Sequence, residues 1–235
     1  MFAQCSGVAG MGGSDSLCLG GHRLVPLPCG ALHWPDKALL AVADLHLEKG
    51  SAFARAGWML PPYDSLDTLA RLGRAIRATG ARRVVALGDS FHDPHGPRRL
   101  PADARRMLDG LIRSVEWVWI AGNHDGIAPG MVGGTVAREL AIAGVAFRHA
   151  ADPGATGPEI SGHFHPKARL GAGRGPARRC FALAGERLVL PAYGSFAGGL
   201  DISSPALAAA LGAAPVGLLP TASGIAMVEP GRSAA

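Results

Sequence analysis

The sequence predicts an α/β protein built on buried strands, and three observations carry that expectation. Strand-like apolar runs recur at 38–43, 84–87 and 115–121, each stops at polar residues, and helical patterns fill the intervals between them. A run that is apolar at successive positions suits a strand covered on both faces, as in a sheet with crossover helices. Short apolar pieces separated by turns occupy the second half, which predicts a second sheet packed on the first.

The elements follow in order. Residues 1–21 lack Lys and Arg at their start and have no compact apolar core. They therefore fail as a secretory signal and read as a flexible tail. The segment His22–Pro35 mixes short apolar runs with prolines and reads as an edge strand or hairpin. The run 38–43 ends at Asp44. From Asp64, an N-cap candidate, Leu66, Leu69, Leu72 and Ile76 recur at helical spacing until Gly80. The strand 84–87 is followed by Gly88 and Asp89, and a second helix after Pro101 carries Met107, Leu108, Leu111 and Ile112. The third strand leads into Gly122, Asn123, His124 and Asp125. Further strand-like pieces lie at 145–149, 159–165, 180–183, 187–190, 216–219 and 224–228. No linker or repeat divides the chain, so a single domain is expected over 22–228, with 229–235 as a C-terminal tail.

Composition excludes several classes. Of 235 residues, 48% are apolar and 17% charged, so the chain can bury a core and is not a disordered protein. No stretch of 18 uninterrupted apolar residues occurs, so no membrane-spanning helix is expected. The net charge of +5 permits an anionic partner without demanding one, because the skew of the 23 basic residues towards Arg matches a codon bias equally well. Four cysteines without a C-x-x-C pair point to a reducing compartment and a cytoplasmic location.

The chemistry lies at the strand ends, where α/β sheets bind ligands. Asp44-Leu-His46, Gly88-Asp89, Gly122-Asn-His-Asp125, His149 and Gly162-His-Phe-His165 form a series of polar clusters. Two residues two apart on extended chain leave the same face, so Asp44 and His46, and likewise His163 and His165, can grip one ion together. Asp89 follows the neighbouring strand, and its two carboxylate oxygens suit a ligand shared by two ions. Carboxylate, carboxamide and imidazole without thiolate disfavour a structural zinc cage or an iron–sulfur cluster and fit Mn, Fe or Zn in a two-metal site. Glycines at 88, 122 and 162 are expected to let the backbone turn tightly before each ligand.

The order D-x-H, G-D, G-N-H-D, H, G-H-x-H from Asp44 to His165 resembles the calcineurin-like metallophosphoesterases. That resemblance implies a four-layer sandwich, two mixed β-sheets flanked by α-helices, with a dinuclear centre at the strand ends. It implies one divalent ion held by Asp44, His46, Asp89 and His165, and a second held by Asp89, Asn123, His149 and His163, with Mn the first expectation. It makes His124 the catalytic group that contacts the phosphate and protonates or stabilises the leaving oxygen. The flanks 42–50, with Phe53, Gly57 and Pro61, then 87–93 and 160–166, are similar to a bacterial branch of the family named for ligase-associated DNA damage response endonucleases. DNA as substrate, and functional association with a DNA ligase and helicase of a repair system, are implied by that likeness alone. Many members carry an Asp three residues after the shared ligand, to orient the catalytic His. Here that position is His92, which leaves Asp93 and Asp125 as alternatives for the role.

Other features have plainer readings. Arg98, Arg99, Arg105 and Arg106 read chiefly as solvated helix surface. The stretch 167–179 holds Lys167, Arg169, Arg174, Arg178 and Arg179 and no acid, and reads as a basic loop guiding a polyanion. Trp58, Trp117 and Trp119 read as core or edge packing rather than base-stacking platforms. The leading function is metal-dependent hydrolysis of a phosphodiester. A small-molecule nucleotide phosphoesterase and a non-catalytic metal-stabilised scaffold are the alternatives, and the intact His124 speaks against the scaffold.

Overall fold

The structure is a computed structural model and describes residues 15–126, 129–170 and 175–230. Two seven-stranded mixed sheets lie face to face. The first takes its strands in chain order: β1 (Leu17–Leu19), β2 (His22–Pro26), β3 (Leu32–Trp34), β4 (Leu39–Ala43), β5 (Arg83–Leu87), β6 (Glu116–Ile120) and β7 (Thr135–Ala137). Pairing is antiparallel from β1 to β4 and parallel from β4 to β7.

The second sheet uses β8 (Leu140–Ile142), β9 (Val145–Phe147) and β10 (Glu159–Ser161). A separate two-stranded ribbon, β11 (Lys167–Ala168) with β12 (Arg178–Arg179), intervenes along the chain. The sheet is completed by β13 (Phe181–Ala184), β14 (Arg187–Val189), β15 (Val216–Thr221) and β16 (Gly224–Val228), in the order β16-β15-β13-β14-β10-β9-β8.

The period of two along β4 shows how the layers are held. Leu40 and Val42 face helices α2 (Asp64–Thr79) and α4 (Ala102–Ser114), packing with Leu69, Leu72, Ile76 and Leu108. Leu39, Ala41 and Ala43 face the second sheet, packing with Phe147, Ile160, Phe181 and Leu188. Helix α5 (Pro205–Leu211) covers the far side of that sheet through Leu207 and Leu211 on Ala182 and Val189. Helix, sheet, sheet, helix is the four-layer arrangement expected. It forms because buried strands need cover on both faces.

Several expectations are corrected. Strand β1 pairs with β2 inside the segment expected to be tail, because Gly20 and Gly21, at φ 57° and 77°, make a two-residue hairpin turn that buries Leu17 and Leu19. The remainder of that tail, 1–14, and residues 231–235 lie outside the described residues. Three short helices, α1 (Lys49–Arg55), α3 (Gly96–Arg99) and α5, are too brief to show a period. Asp64 is the first residue of α2 rather than its cap, and its carboxylate accepts the Gly50 N–H at 3.1 Å. Trp117 and Trp119 are buried, but Trp58 is 70% exposed. No helix among the described residues is long and apolar enough to cross a membrane.

Candidate metal centre

The expected ligands meet at one place because the ends of β4, β5, β6, β9 and β10 all open on it. Backbone bonds lace the first two loops together: Asp44 N–H donates to Gly88 O at 3.2 Å, His46 N–H to Asp89 O at 2.9 Å and His92 N–H to Leu47 O at 2.9 Å. Asp44 in turn accepts the His163 N–H on Oδ2 at 2.9 Å, which ties the second sheet's loop to the first. Behind Asp44, Tyr193 N–H donates to Ala43 O and Gly194 N–H to Asp44 O. Arg71 and Arg179 brace that rear segment by donating to the carbonyls of Tyr193, Gly194 and Ser195. Sequence reasoning missed this support, since nothing local marks it.

Two sets of ligand atoms converge. Asp44, His46 and His165 form one, and Asp89, His149 and His163 the other, the atoms of each set lying within 4.8 Å of one another. In the first, His46 Nε2 faces His165 Nε2 at 3.3 Å, and His165 Nε2 lies 3.4 Å from Asp44 Oδ1. In the second, His149 Nε2 lies 2.8 Å from Asn123 Oδ1, 3.1 Å from His163 Nδ1 and 3.5 Å from Asp89 Oδ1. The His149 Nδ1–H donates to Leu87 O at 3.0 Å, so in the neutral ring Nε2 turns a lone pair towards these acceptors.

Both sets fit a cation. Asp44 Oδ1 is buried without a hydrogen-bond partner, and in the neutral ring His149 Nε2 and the Asn123 Oδ1 it faces are both acceptors. Burial, reinforced by His165, Lys49, His92 and His124, pushes the His46 imidazole down to about 2, so it is neutral at ordinary pH, the form that can bind a cation. Burial first, and then His149, likewise lowers His163.

The backbone carries the same mark. Eight non-glycine residues among those described have positive φ, and five are Asp44, His46, Asp89, His163 and His165, at 43–72°. The expectation of extended chain at Asp44 and His46 is thus corrected: left-handed conformations turn the two side chains inwards. Each costs on the order of 1–3 kcal/mol and persists only where surroundings enforce it. The glycines act chiefly by close approach. A Cβ on Gly122 would strike the Asp89 backbone N, one on Gly88 the His149 ring, and one on Gly162 would lie 2.7 Å from Asp44 Oδ2.

The remaining expected residues divide. His124 is half exposed, with Nε2 4.0 Å from Asp89 Oδ2 and its N–H donating to Asp89 Oδ1 at 2.9 Å. Its ring stacks on His92 at a centroid distance of 6.0 Å. Neither alternative orienting acid bonds the His124 ring. Asp125 is buried and accepts Phe91 N–H at 3.0 Å and Gly122 N–H at 2.9 Å, locking two ligand loops together. Asp93 is held by Arg99 through 2.9 and 2.5 Å bonds.

The basic stretch is also corrected. Lys167 opens ribbon β11 and Arg178 is exposed on β12, but Arg179 is turned inwards onto carbonyls and cannot serve as a free cation. Arg174 lies outside the described residues. On the helices, Arg105 pairs with Asp109 and Arg106 with Asp103, which neutralises that run.

A profile of the Calcineurin-like phosphoesterase family matches residues 38–170, more than half of the chain and every residue of both ligand sets. This chain is a calcineurin-like phosphoesterase. As such it is a hydrolase of phosphoric esters that works with divalent metal ions. It is similar to the solved nuclease MPE of Pseudomonas putida at 27% identity, over 91% of this chain and 98% of that one, with a TM-score of 0.70. The phosphoesterase Yfce of E. coli aligns at 16% identity over 82% of this chain and 99% of its own, with a TM-score of 0.41. No curated protein matches the sequence.

Proposed function

We propose that this phosphoesterase is a metal-dependent endonuclease that cleaves phosphodiester bonds of DNA through a dinuclear centre, of the PdeM kind, serving a DNA damage response alongside a ligase and a helicase. The observation that carries the reading is the pair of convergent ligand sets opening on one face beside a solvent-accessible His124. The nuclease MPE, similar over nearly the whole chain, supports the choice of a nucleic-acid diester.

Asp44, His46 and His165 would hold one ion and Asn123, His149 and His163 the other, with Asp89 between them as the shared ligand. A pair of divalent ions supplies Lewis-acid polarisation of the phosphoryl group and activation of the attacking water. The chain's own groups do the rest. Asp44 Oδ2 and His149 Nδ1–H are spent on the His163 N–H and Leu87 O, which fixes the remaining donor atoms of both side chains in place. His124 presents Nε2 at the open side, where it can donate a proton to the departing oxygen.

The test strips the purified protein of metal, restores Mn, Zn, Fe or Mg singly, and offers an aryl phosphodiester, nucleotides, and single-stranded and plasmid DNA. Metal-restored nicking of DNA supports the reading. Turnover confined to nucleotides replaces it with a nucleotide phosphoesterase, and absence of turnover on all of them with a scaffold.

A further inference from the structure

The segment joining α1 to α2 exposes large apolar side chains that the metal centre does not explain. Trp58, Met59 and Tyr63 are 70%, 86% and 67% exposed. Rings of this size normally hide or meet a partner. The segment is anchored at both ends, so its exposure is not slackness. Ala56 N–H and Trp58 N–H both donate to Phe53 O at 2.9 Å, and beyond Tyr63 the Asp64 carboxylate takes the Gly50 N–H. Ser65 Oγ bonds Glu48 at both its N–H and its carboxylate, at 2.9 and 2.8 Å.

Helix α1, which leads into this segment and takes the Trp58 N–H on its Phe53 O, borders the reaction site. The Phe53 ring lies 5.6 Å from His92, and His92 stacks on His124. Helix α1 and the segment together, residues 49–63, carry one sign of charge, with Lys49 and Arg55 in the helix and no Asp or Glu. Arg55 is exposed, and Lys49 lies over the Phe53 ring. Aromatic faces interleaved with cations beside a phosphodiester-cleaving centre form the combination that grips unpaired strands, because every base has a π-face to stack.

We propose that Trp58 and Tyr63 form a stacking platform for unpaired nucleobases flanking the phosphodiester at the metal centre. The proposal rests on the nucleic-acid reading above and sharpens it to unpaired strands. In a continuous duplex the base faces are covered by their neighbours, so the platform engages single strands, loops and frayed ends. Lys49 and Arg55 contribute positive charge to the same path.

The experiment compares wild type with a Trp58→Ala/Tyr63→Ala double variant on a single-stranded oligonucleotide, its base-paired duplex and an abasic strand of equal length. Unchanged metal content and melting temperature check the fold. The platform predicts a fall in kcat/KM on the single strand of about 10- to 100-fold. On the abasic strand both proteins should be equally slow, and Trp58→Phe should retain most of the lost rate. Equal kcat/KM for wild type and double variant on the normal strand overturns the platform while leaving the nuclease reading in place. Wild type that hydrolyses an aryl phosphodiester but no oligonucleotide overturns both. A wild-type dimer in sedimentation that the double variant dissolves would assign the patch to a second copy of the chain and also overturn the platform.

Discussion

The floor and the rim of the site are built on opposite principles. At the floor, Asp44, His46, Asp89 and His149 are buried, hydrogen-bonded across loops from several strands, and held in part by left-handed backbone. At the rim, His124 is exposed, and Trp58 and Tyr63 stand out in solvent. The floor is therefore preorganised at the expense of backbone strain, whereas the rim is placed by short loops that can vary without disturbing it. The difference teaches that the buried ligand cluster is held independently of the exposed groups around it.

The largest test strikes the floor. Asp89→Asn should take turnover to background and lower bound metal to one ion or none, measured by elemental analysis of the purified variant. Two ions per chain with near wild-type turnover would remove Asp89 as the shared ligand and break the distinction. At the rim, His124→Ala should keep its metal and lose about 10²- to 10⁴-fold in turnover on diesters with poor leaving groups, and less on those with good ones. Equal losses on both would make His124 a charge stabiliser rather than an acid. Loss of metal would move it to the floor.

Legibility followed the same division. The convergence of Asp44, His46, Asp89, His163 and His165 could be read because these residues closely follow strands and repeat a short spacing. The layers could be read because β4, β5 and β6 are apolar on both faces. The brace of Arg71 and Arg179 on the segment 193–195 could not, since it joins residues far apart in the chain through backbone carbonyls. Trp58 was misread for a related reason: apolar character predicts burial on average, and only the three-dimensional arrangement reveals an exposed ring. The Gly20-Gly21 turn, by contrast, is a local signal within the segment that reads as tail.

Packing at the floor gives an intermediate effect. Gly122→Ala places a methyl group on the Asp89 backbone, and overpacking of that kind costs about 1–3 kcal/mol. The melting temperature and metal content should fall together. An unperturbed Gly122→Ala would show that the loops have slack, contrary to a preorganised floor.

Acid should separate floor from rim more gently. His46 is held neutral down to about 2, and burial also lowers His92 and His163 from the ordinary 6.5. Below 6.5 the unfolded chain binds protons that the folded chain refuses, so stability of the metal-free protein is full above that pH and declines as pH falls through it. Burial raises Glu48 and Asp125 from 4.5 and 3.8, which favours the folded state as pH falls and opposes the decline nearer those values. Melting temperatures of metal-free protein between about pH 8 and pH 5 should fall with acid. A flat profile would mean that these imidazoles titrate normally.

The smallest effect separates two neighbouring arginines. Arg178 and Arg179 are adjacent in sequence, yet Arg178 faces solvent while Arg179 is spent on the carbonyls of Tyr193, Gly194 and Ser195 behind the Asp44 loop. A rim cation that neutralises one phosphate releases about 0.7 counterion on a single strand. Arg178→Ala should accordingly lower the salt slope of DNA binding by about that amount and leave the melting temperature unchanged. Arg179→Ala removes its bonds to three carbonyls, of which only that of Tyr193 keeps a donor in Arg71, so it should lower the melting temperature and metal retention while leaving the salt slope as it was. Measuring both quantities on both variants sharpens the comparison to a single peptide bond. If Arg179→Ala instead changes the salt slope and spares the melting temperature, the ribbon's inward face belongs to the DNA path, and the boundary between floor and rim must be redrawn on the far side of β12.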